Sequence, residues 1–482
     1  MRSKRRRERF ATTLFNGVFL QNHSLPQSLR DSSLDRGSYA ISIYTPKGSK
    51  IMICNNLGVN EKGHLTFAGH DTVELAEKYQ TPAYIMDENK IREKCRIYKN
   101  AMSKFFGGSS MPLFASKSLC FKRIYEIMKE ENMGIDVVSP GELYTAVKAG
   151  FPMENAFFHG NNKTDFDIAF AIENGIGYFV CDNVEELNAI DREAGNKGIK
   201  QKIILRLTPG IDPHTHAKIS TGNVDSKFGA AIETGQAKEL VELALSKENI
   251  ALMGYHCHIG SQIFEYDPFC DAAVIMIKFL ADMKTELGFE ASVLNLGGGM
   301  GVKYVESDPE IDYAKNIEGI AELVKAECAK HGVTMPTILM EPGRSIVADA
   351  GLTLYTAGTR KEIKGFKNYV SIDGGMPDNP RYALYQSPYT VMVANKANEE
   401  ADYECTIAGR CCESGDLIQE GVKIPKPERG DTIAVLTTGA YNFAMSSNYN
   451  AICKPPVIML DGDKDYVAVK RESFDDLIAR QV

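Results

Sequence analysis

No apolar run in this 482-residue chain approaches the roughly 18 residues needed to cross a bilayer, which excludes a membrane-spanning helix. No CxxC pair occurs among the eleven cysteines and their spacing is irregular, so neither a zinc site nor a disulfide scaffold is indicated. A reducing cytoplasm is the compartment expected for such cysteine usage. The body of the chain also lacks a net positive charge. Residues 1–51 carry ten Lys/Arg against three Asp/Glu, so the remainder is more acidic than the overall net charge of −8. That balance argues against a nucleic-acid partner. What the chain does have is length for two domains and 44% hydrophobic residues, enough to fill two ordinary cores.

The first segment, "MRSKRRRERFATTLFNGVFL", has a basic start and then a weakly apolar stretch interrupted by Asn16 and Gly17, a poor secretory signal. Its Arg and Ser content and few acids allow an organellar transit peptide. The preferred reading is that 1–51 form a basic, disordered or artefactual extension upstream of a natural start at Met52, because the globular pattern begins just after that methionine.

From about residue 110 the chain repeats an architecture. Short apolar runs at "MPLFAS", "GIDVVS", "NAFFHG", "GYFVCD", "KIILRL", "LMGYHCHIG", "SVLNLGGG" and "TILMEPG" alternate with stretches of helical period at 140–149, 164–174, 184–194, 235–247, 268–287 and 313–331. Parallel strands buried on both faces read as continuous apolar runs, and eight of them with intervening helices predict a (β/α)8 barrel of the TIM type over 84–348. After Arg344 the pattern changes to longer alternating runs ("LTLYTAG", "NYVSID", "DTIAVLTT", "PVIMLDG"), which predict a C-terminal antiparallel β domain over 349–482. Residues 52–83 are expected to contribute N-terminal strands to it.

A barrel builds its active site at the C-terminal ends of its strands. Those ends offer Lys117, Asp136, His159 with Asn161, Asp182, Arg206, His258 with Ser261, the glycines 297–299, and Glu341 with Arg344. A barrel without a site would end its strands in turn residues alone. Lys117 lies in an apolar run, where an amine is costly unless it has a partner or a covalent role, although a lysine reaching out of the rim is the plainer alternative. The glycines of "LNLGGGMG" could let backbone N–H groups approach a phosphate or could form a mere tight turn; their place before the eighth strand favours the phosphate. In "HCHIGSQ", His258 suits stacking on a planar ring and His256 a satisfied core position. No carboxylate or third histidine completes a metal set with them, so no metal is expected. Asp136 and Arg206 could pair behind Lys117. In "MEPGRSIVA" an acid and a base, Glu341 and Arg344, stand three residues apart at a buried strand end. That suits a ligand with a cationic and an anionic end. Pyridoxal phosphate is one: a carboxylate keeps its ring nitrogen protonated, a lysine takes its aldehyde as an imine, and a cation meets its phosphate.

Eight motifs in order, "FASKSL", "HGNNKT", "HCHIGSQ", "LNLGGGMGVKY", "EPGRSIVADAG", "DNPRYALY", "CCESGDLI" and "GAYNFAMSSNYN", make residues 52–482 resemble the fold-type III pyridoxal-phosphate decarboxylases, and among them the branch acting on meso-2,6-diaminopimelate. One departure is Lys-Ser where many relatives have Lys-Ala-Asn, which leaves the lysine in place. The resemblance implies pyridoxal 5'-phosphate as cofactor, carbon dioxide and L-lysine as products, the last step of lysine biosynthesis, and a homodimer in which the "CESGD" segment completes the partner's site. It implies no nucleic-acid or membrane partner.

By position, the resemblance makes Lys117 the lysine that holds the cofactor, His258 the stacking residue and Glu341 the partner of the ring nitrogen. Gly298, Gly299, Ser261, Gly343, Arg344 and Tyr441 would hold the phosphate. Arg344, Arg381, Tyr385, Glu413 and Tyr441 would hold the substrate, and Cys412 would return a proton to the α-carbon. A thiol is suited to that step, being mostly protonated at neutral pH yet ready to transfer. Cys411 beside it points the other way in an extended segment. Three alternatives stand against this reading: a non-catalytic relative, which would have no need of Cys412, Glu413 and Tyr441 together; a racemase of the same fold type, which would need a second base; and a decarboxylase for ornithine, arginine or a carboxylated polyamine.

Overall fold

A computed structural model describes residues 52–108, 110–211 and 226–482. The basic extension assigned to 1–51 lies outside the described residues. The unit Met52–Val482 begins with a small antiparallel sheet of β1 (Leu57–Val59), β2 (Leu65–Phe67) and β3 (His70–Asp71). After a short helix comes β4 (Ala83–Asp87) and the helix Glu88–Phe106.

The barrel strands follow in chain order. They are β5 (Met111–Ala115), β6 (Gly134–Val137), β7 (Ala156–Phe158), β8 (Tyr178–Cys181), β9 (Gln201–Thr208), the two-residue β10 (Ala230–Ala231) beside β9, β11 (Ile250–His256), β12 (Val293–Asn295) and β13 (Thr337–Met340). All pair in parallel. Contacts of β13 with β5 and of β8 with β9 close the ring of eight, the architecture expected from the apolar runs. Helices start where the sequence provides caps. Ser139 caps the helix Pro140–Lys148 ahead of its N-terminal proline, Thr164 and Asp167 form a capping box on Asp165–Glu173, and Asn183 caps Val184–Lys197. The outer layer lacks a long helix after β13. Glu88–Phe106 fills that place between helices Tyr313–His331 and Lys122–Glu130, tied to the latter by ion pairs of Arg92 with Glu130 and Arg123 with Glu88.

The barrel interior explains how the site is presented. Leu113, Phe157, Val180, Ile204, Val293 and Leu339 form one buried cluster. Side chains two apart on a strand face the same way. Two residues beyond this apolar set therefore stand Ala115, His159, Asp182, Arg206, Asn295 and Glu341: the same face that fills the barrel turns polar at its mouth. On β6 and β11 the lower positions are Gly134 and Gly254. There a Cβ would lie 2.4 Å from the Leu113 side chain and 1.8 Å from the Val293 carbonyl, so glycine is required for the strands to close.

The second sheet is mixed. Its path runs β18 (Leu417–Ile424), β17 (Tyr403–Ala408), β15 (Asn368–Ile372), β14 (Gly351–Glu362), β4, β20 (Val457–Asp461) and β21 (Lys464–Val469), with β19 (Thr432–Val435) joining β14 to β16 (Val391–Val393). Most pairs are antiparallel, while β15–β17 and β4–β20 are parallel. The strands of 52–83 do not enter this sheet as expected; they form their own, and the strand that enters is β4. Leu65 and Phe67 nevertheless share a buried cluster with Leu352, Leu354 and Ile458. No helix among the described residues is long and apolar enough to cross a membrane.

Candidate active site

Glu341, one residue past β13, is buried at the mouth among polar side chains from three other strand ends. Asn295 Nδ2 donates to its Oε1 at 2.7 Å and His256 Nε2 lies 3.3 Å from its Oε2. His159 Nε2 is 2.9 Å from Oε1 but outside hydrogen-bond geometry. Burial opposes charge on Glu341, yet the two imidazoles beside it hold its carboxyl well below the usual carboxylate range. Burial, ahead of the attraction of Glu341, pushes His256 down to about 4 and His159 below its ordinary value. His256 is therefore neutral at pH 7, and with Asn295 it steadies the carboxylate by hydrogen bonding and leaves its charge for another cation. Asp136 accepts the Ser116 N–H at 2.9 Å, and burial, then the charge of Glu341, pushes it up to about 8.

Beyond Glu341 the backbones of three strand ends converge. A Cβ on Gly298 would lie 2.0 Å from the Glu341 carbonyl, and one on Gly299, at φ +124°, 2.3 Å from the Gly260 carbonyl. The glycine run is thus imposed by close approach. Gly298 N–H donates to His258 Nδ1 at 3.3 Å, which puts the ring's own hydrogen on Nε2. Arg344 donates to Ser261 Oγ at 3.1 and 3.3 Å and to the Tyr304 hydroxyl at 2.7 Å, and its guanidinium carbon is 4.7 Å from the Tyr441 ring centre. A buried guanidinium whose hydrogen-bond partners are neutral hydroxyls is suited to an anion.

Two cavities meet here. One of about 380 Å³ is lined by Lys117, Asp136, His159, Arg206, His258 and Glu341, among others. A smaller one, bounded by Lys117, His258 and Glu341 as well, holds Ser261, Gly299, Gly343, Arg344 and Tyr441. Arg381 is buried nearby. Its guanidinium carbon lies 4.9 Å from the Tyr304 ring centre, and it donates to the Tyr389 hydroxyl at 2.9 Å and Ser387 Oγ at 3.0 Å. Tyr385, half-buried, lines neither cavity. Cys412 and Glu413 are exposed and also lie outside both. Their loop is pinned by Asp416, which accepts the N–H groups of Met376 at 2.6 Å and Cys411 at 2.7 Å, and by Asn450, which accepts that of Cys412 at 2.9 Å.

Three sequence readings need correction. His256 is more than core, since it contacts Glu341. His159, His256 and Glu341 offer ligand atoms within 4.8 Å of one another, so β7 and β13 supply the further histidine and carboxylate that the "HCH" motif lacked. Arg206 does not pair with Asp136; it faces Asp182 at 3.9 Å and stacks on Phe228 at 4.2 Å. Asn295 and Tyr304 escaped notice altogether. The only signal for the first was an asparagine inside an apolar strand just ahead of the glycines.

The family model described as "Pyridoxal-dependent decarboxylase, pyridoxal binding domain" matches residues 88–348. The chain belongs to the pyridoxal-dependent decarboxylases. A diaminopimelate decarboxylase of Bacillus methanolicus is 44% identical over 414 residues, 86% of this chain and 96% of the relative. The crystal structure of a diaminopimelate decarboxylase from M. jannaschii in complex with L-lysine superposes with a TM-score of 0.82 at 32% identity, covering 89% of this chain and 98% of that one. A lysine/ornithine decarboxylase from Vibrio vulnificus, 23% identical with a TM-score of 0.68 over 81% of this chain and 98% of that one, shares the fold.

Pyridoxal phosphate is the cofactor of this decarboxylase, and the residues present fit it. Arg344 donates its hydrogen bonds to the hydroxyls of Ser261 and Tyr304, Glu341 lines the same cavity, and His159 Nε2, His256 Nδ1 and Ser116 Oγ are buried without hydrogen-bond partners at the mouth.

Proposed function

We propose that this decarboxylase converts meso-2,6-diaminopimelate to L-lysine and carbon dioxide, the last step of lysine biosynthesis. The observation that carries the reading is Lys117 sharing a cavity with an ionised, neutrally supported Glu341, in a chain that covers 96% of a diaminopimelate decarboxylase at 44% identity. When bound, the cofactor supplies an aldehyde for the amine and a ring that takes up the electron pair released as carbon dioxide leaves. Lys117 holds it between turnovers, His258 covers its ring and Glu341 keeps the ring nitrogen protonated. Gly298, Gly299, Ser261, Gly343, Arg344 and Tyr441 hold its phosphate.

The substrate's far end carries both an ammonium and a carboxylate. Arg381 and Arg344 suit the carboxylate, and Glu413 the ammonium, with Tyr385 and Tyr441 beside them. Ornithine, with only an amine there, would face an arginine in a pocket of low dielectric. Cys412 then gives its thiol proton to the α-carbon. Because Cys412 and Glu413 are exposed here, we take them to act in the partner's site of a homodimer. The division into a cofactor-binding barrel, 84–348, and a β domain, 349–482, belongs to the same proposal. All eleven cysteines are free, which supports a reducing, cytoplasmic setting. The test is to mix purified protein with meso-diaminopimelate and follow carbon dioxide and lysine. Preference for ornithine would reject the substrate and promote the runner-up.

A further inference from the structure

A third cavity, of about 240 Å³, is walled on one side by Gly301, Val302 and Lys303, the residues that follow the glycine run. Lys90, Lys94, Tyr313, Asp349, Glu310 and Cys54 also line it. Lys94 Nζ binds Asp349 Oδ2 at 2.9 Å, while Asp349 Oδ1 is buried with no hydrogen-bond partner. Lys90 Nζ is shared between Asn55 Oδ1 at 2.9 Å and Glu93 Oε2 at 3.0 Å. Lys303 faces Glu310 at 3.9 Å, beyond hydrogen-bond distance, and that glutamate is largely exposed. Each ammonium has three donors, so Lys94 and Lys303 keep donors to spare.

Three ammonium groups line the cavity against two carboxylates, Asp349 and the largely exposed Glu310, an excess of positive charge that favours an anion. The unmet acceptor on Asp349 also calls for a donor, which inorganic phosphate would serve poorly, since it brings a second anion to that carboxylate. We infer that this cavity binds a free α-amino acid, its carboxylate on Lys303 and Lys94 and its ammonium on Asp349, and that occupancy steadies the cofactor site. The walls reach that site by two routes. The Tyr313 hydroxyl donates to the Gly301 carbonyl at 2.9 Å, and Thr437, four residues before Tyr441, donates from its hydroxyl to the Lys303 carbonyl at 3.5 Å. Tyr304, next to Lys303, carries the hydroxyl that holds Arg344.

The cavity stands apart from the reading of the reaction; only L-lysine as probe rests on it. Borohydride reduction of the holoenzyme fixes the cofactor on Lys117 and closes that position to amines. The reduced protein is then titrated calorimetrically with L-lysine and, separately, with inorganic phosphate. It should bind one L-lysine, and Lys303→Met and Asp349→Asn should each weaken binding about tenfold or more. Turnover of the unreduced variants without added lysine should stay at the wild-type level. No heat with L-lysine, an unchanged affinity in Lys303→Met, or phosphate binding as tightly as lysine would each overturn the inference. Failure to decarboxylate meso-diaminopimelate would reject the proposed function and leave this result to decide the cavity.

Discussion

The barrel mouth and the loop around Cys412 are both parts of the proposed site, yet they are built differently. At the mouth the two charged groups Glu341 and Arg344 are buried and held by side chains of the same chain, Glu341 by His256 and Asn295 and Arg344 by Ser261 and Tyr304. In the loop only the backbone is held, through Asp416 and Asn450, while the side chains of Cys412 and Glu413 face outward. A rigid anchor beneath exposed reactive groups is what a segment needs in order to serve another chain's cavity. In the proposed reading the residues that hold the cofactor come from one chain and the proton donor from its partner.

The largest effect should come from the mouth. Lys117→Ala is expected to abolish turnover and the borohydride-trapped label while leaving the melting temperature near wild type, since Lys117 lies outside the buried core. A label found on another lysine would reject its role.

The difference between the regions also governs what the sequence could tell. The barrel was legible because each strand announced itself twice, by an apolar run and by a reactive residue at its end. The support of Glu341 was not legible. Residues 159, 256, 295 and 341 meet only because the ring closes, and no local pattern records which strands end face to face. Pairing was misread for the same reason: Arg206 and Asp182 sit on adjacent strands β9 and β8, whereas Asp136 on β6 lies two strands further round. The Cys412 loop was visible through its resemblance alone, since an exposed Cys-Cys-Glu carries no periodic signal.

Cys412→Ala should lower kcat by about 10² to 10⁴, the usual worth of a positioned acid, with the cofactor's absorbance unchanged. Mixing and re-pairing this variant with Lys117→Ala sharpens the comparison. If the site is shared, random pairing restores about a quarter of wild-type activity, because half the chains form mixed dimers with one intact site of two. No restored activity would place Cys412 in its own chain's site.

Arg381 stands between the two regions, buried against Tyr304 and Tyr389. Arg381→Ala should raise KM for meso-diaminopimelate by about 2–4 kcal/mol of lost interaction, the range for a buried charge-assisted contact, without weakening cofactor binding. Unchanged kinetics would remove it from the substrate's far end.

The smallest effect tests whether the mouth's buried support has an acid limit that the exposed loop lacks. His256 titrates at its ordinary 6.5 when unfolded and at about 4 when buried, where it faces Glu341, His159 and Arg206. Between those values the unfolded chain binds a proton that the folded chain refuses, so stability declines as pH falls from 6.5 toward 4. Glu341, whose folded value lies below its unfolded one, adds to the loss as acid titrates it. His256→Gln keeps a donor for Glu341 and cannot titrate, so its urea midpoint should fall less over that window. The gap is at most one proton's linkage, about 1.4 kcal/mol per pH unit. Parallel curves for the two proteins would mean that His256 is charged in the folded state, and its neutral support of Glu341 would have to be abandoned.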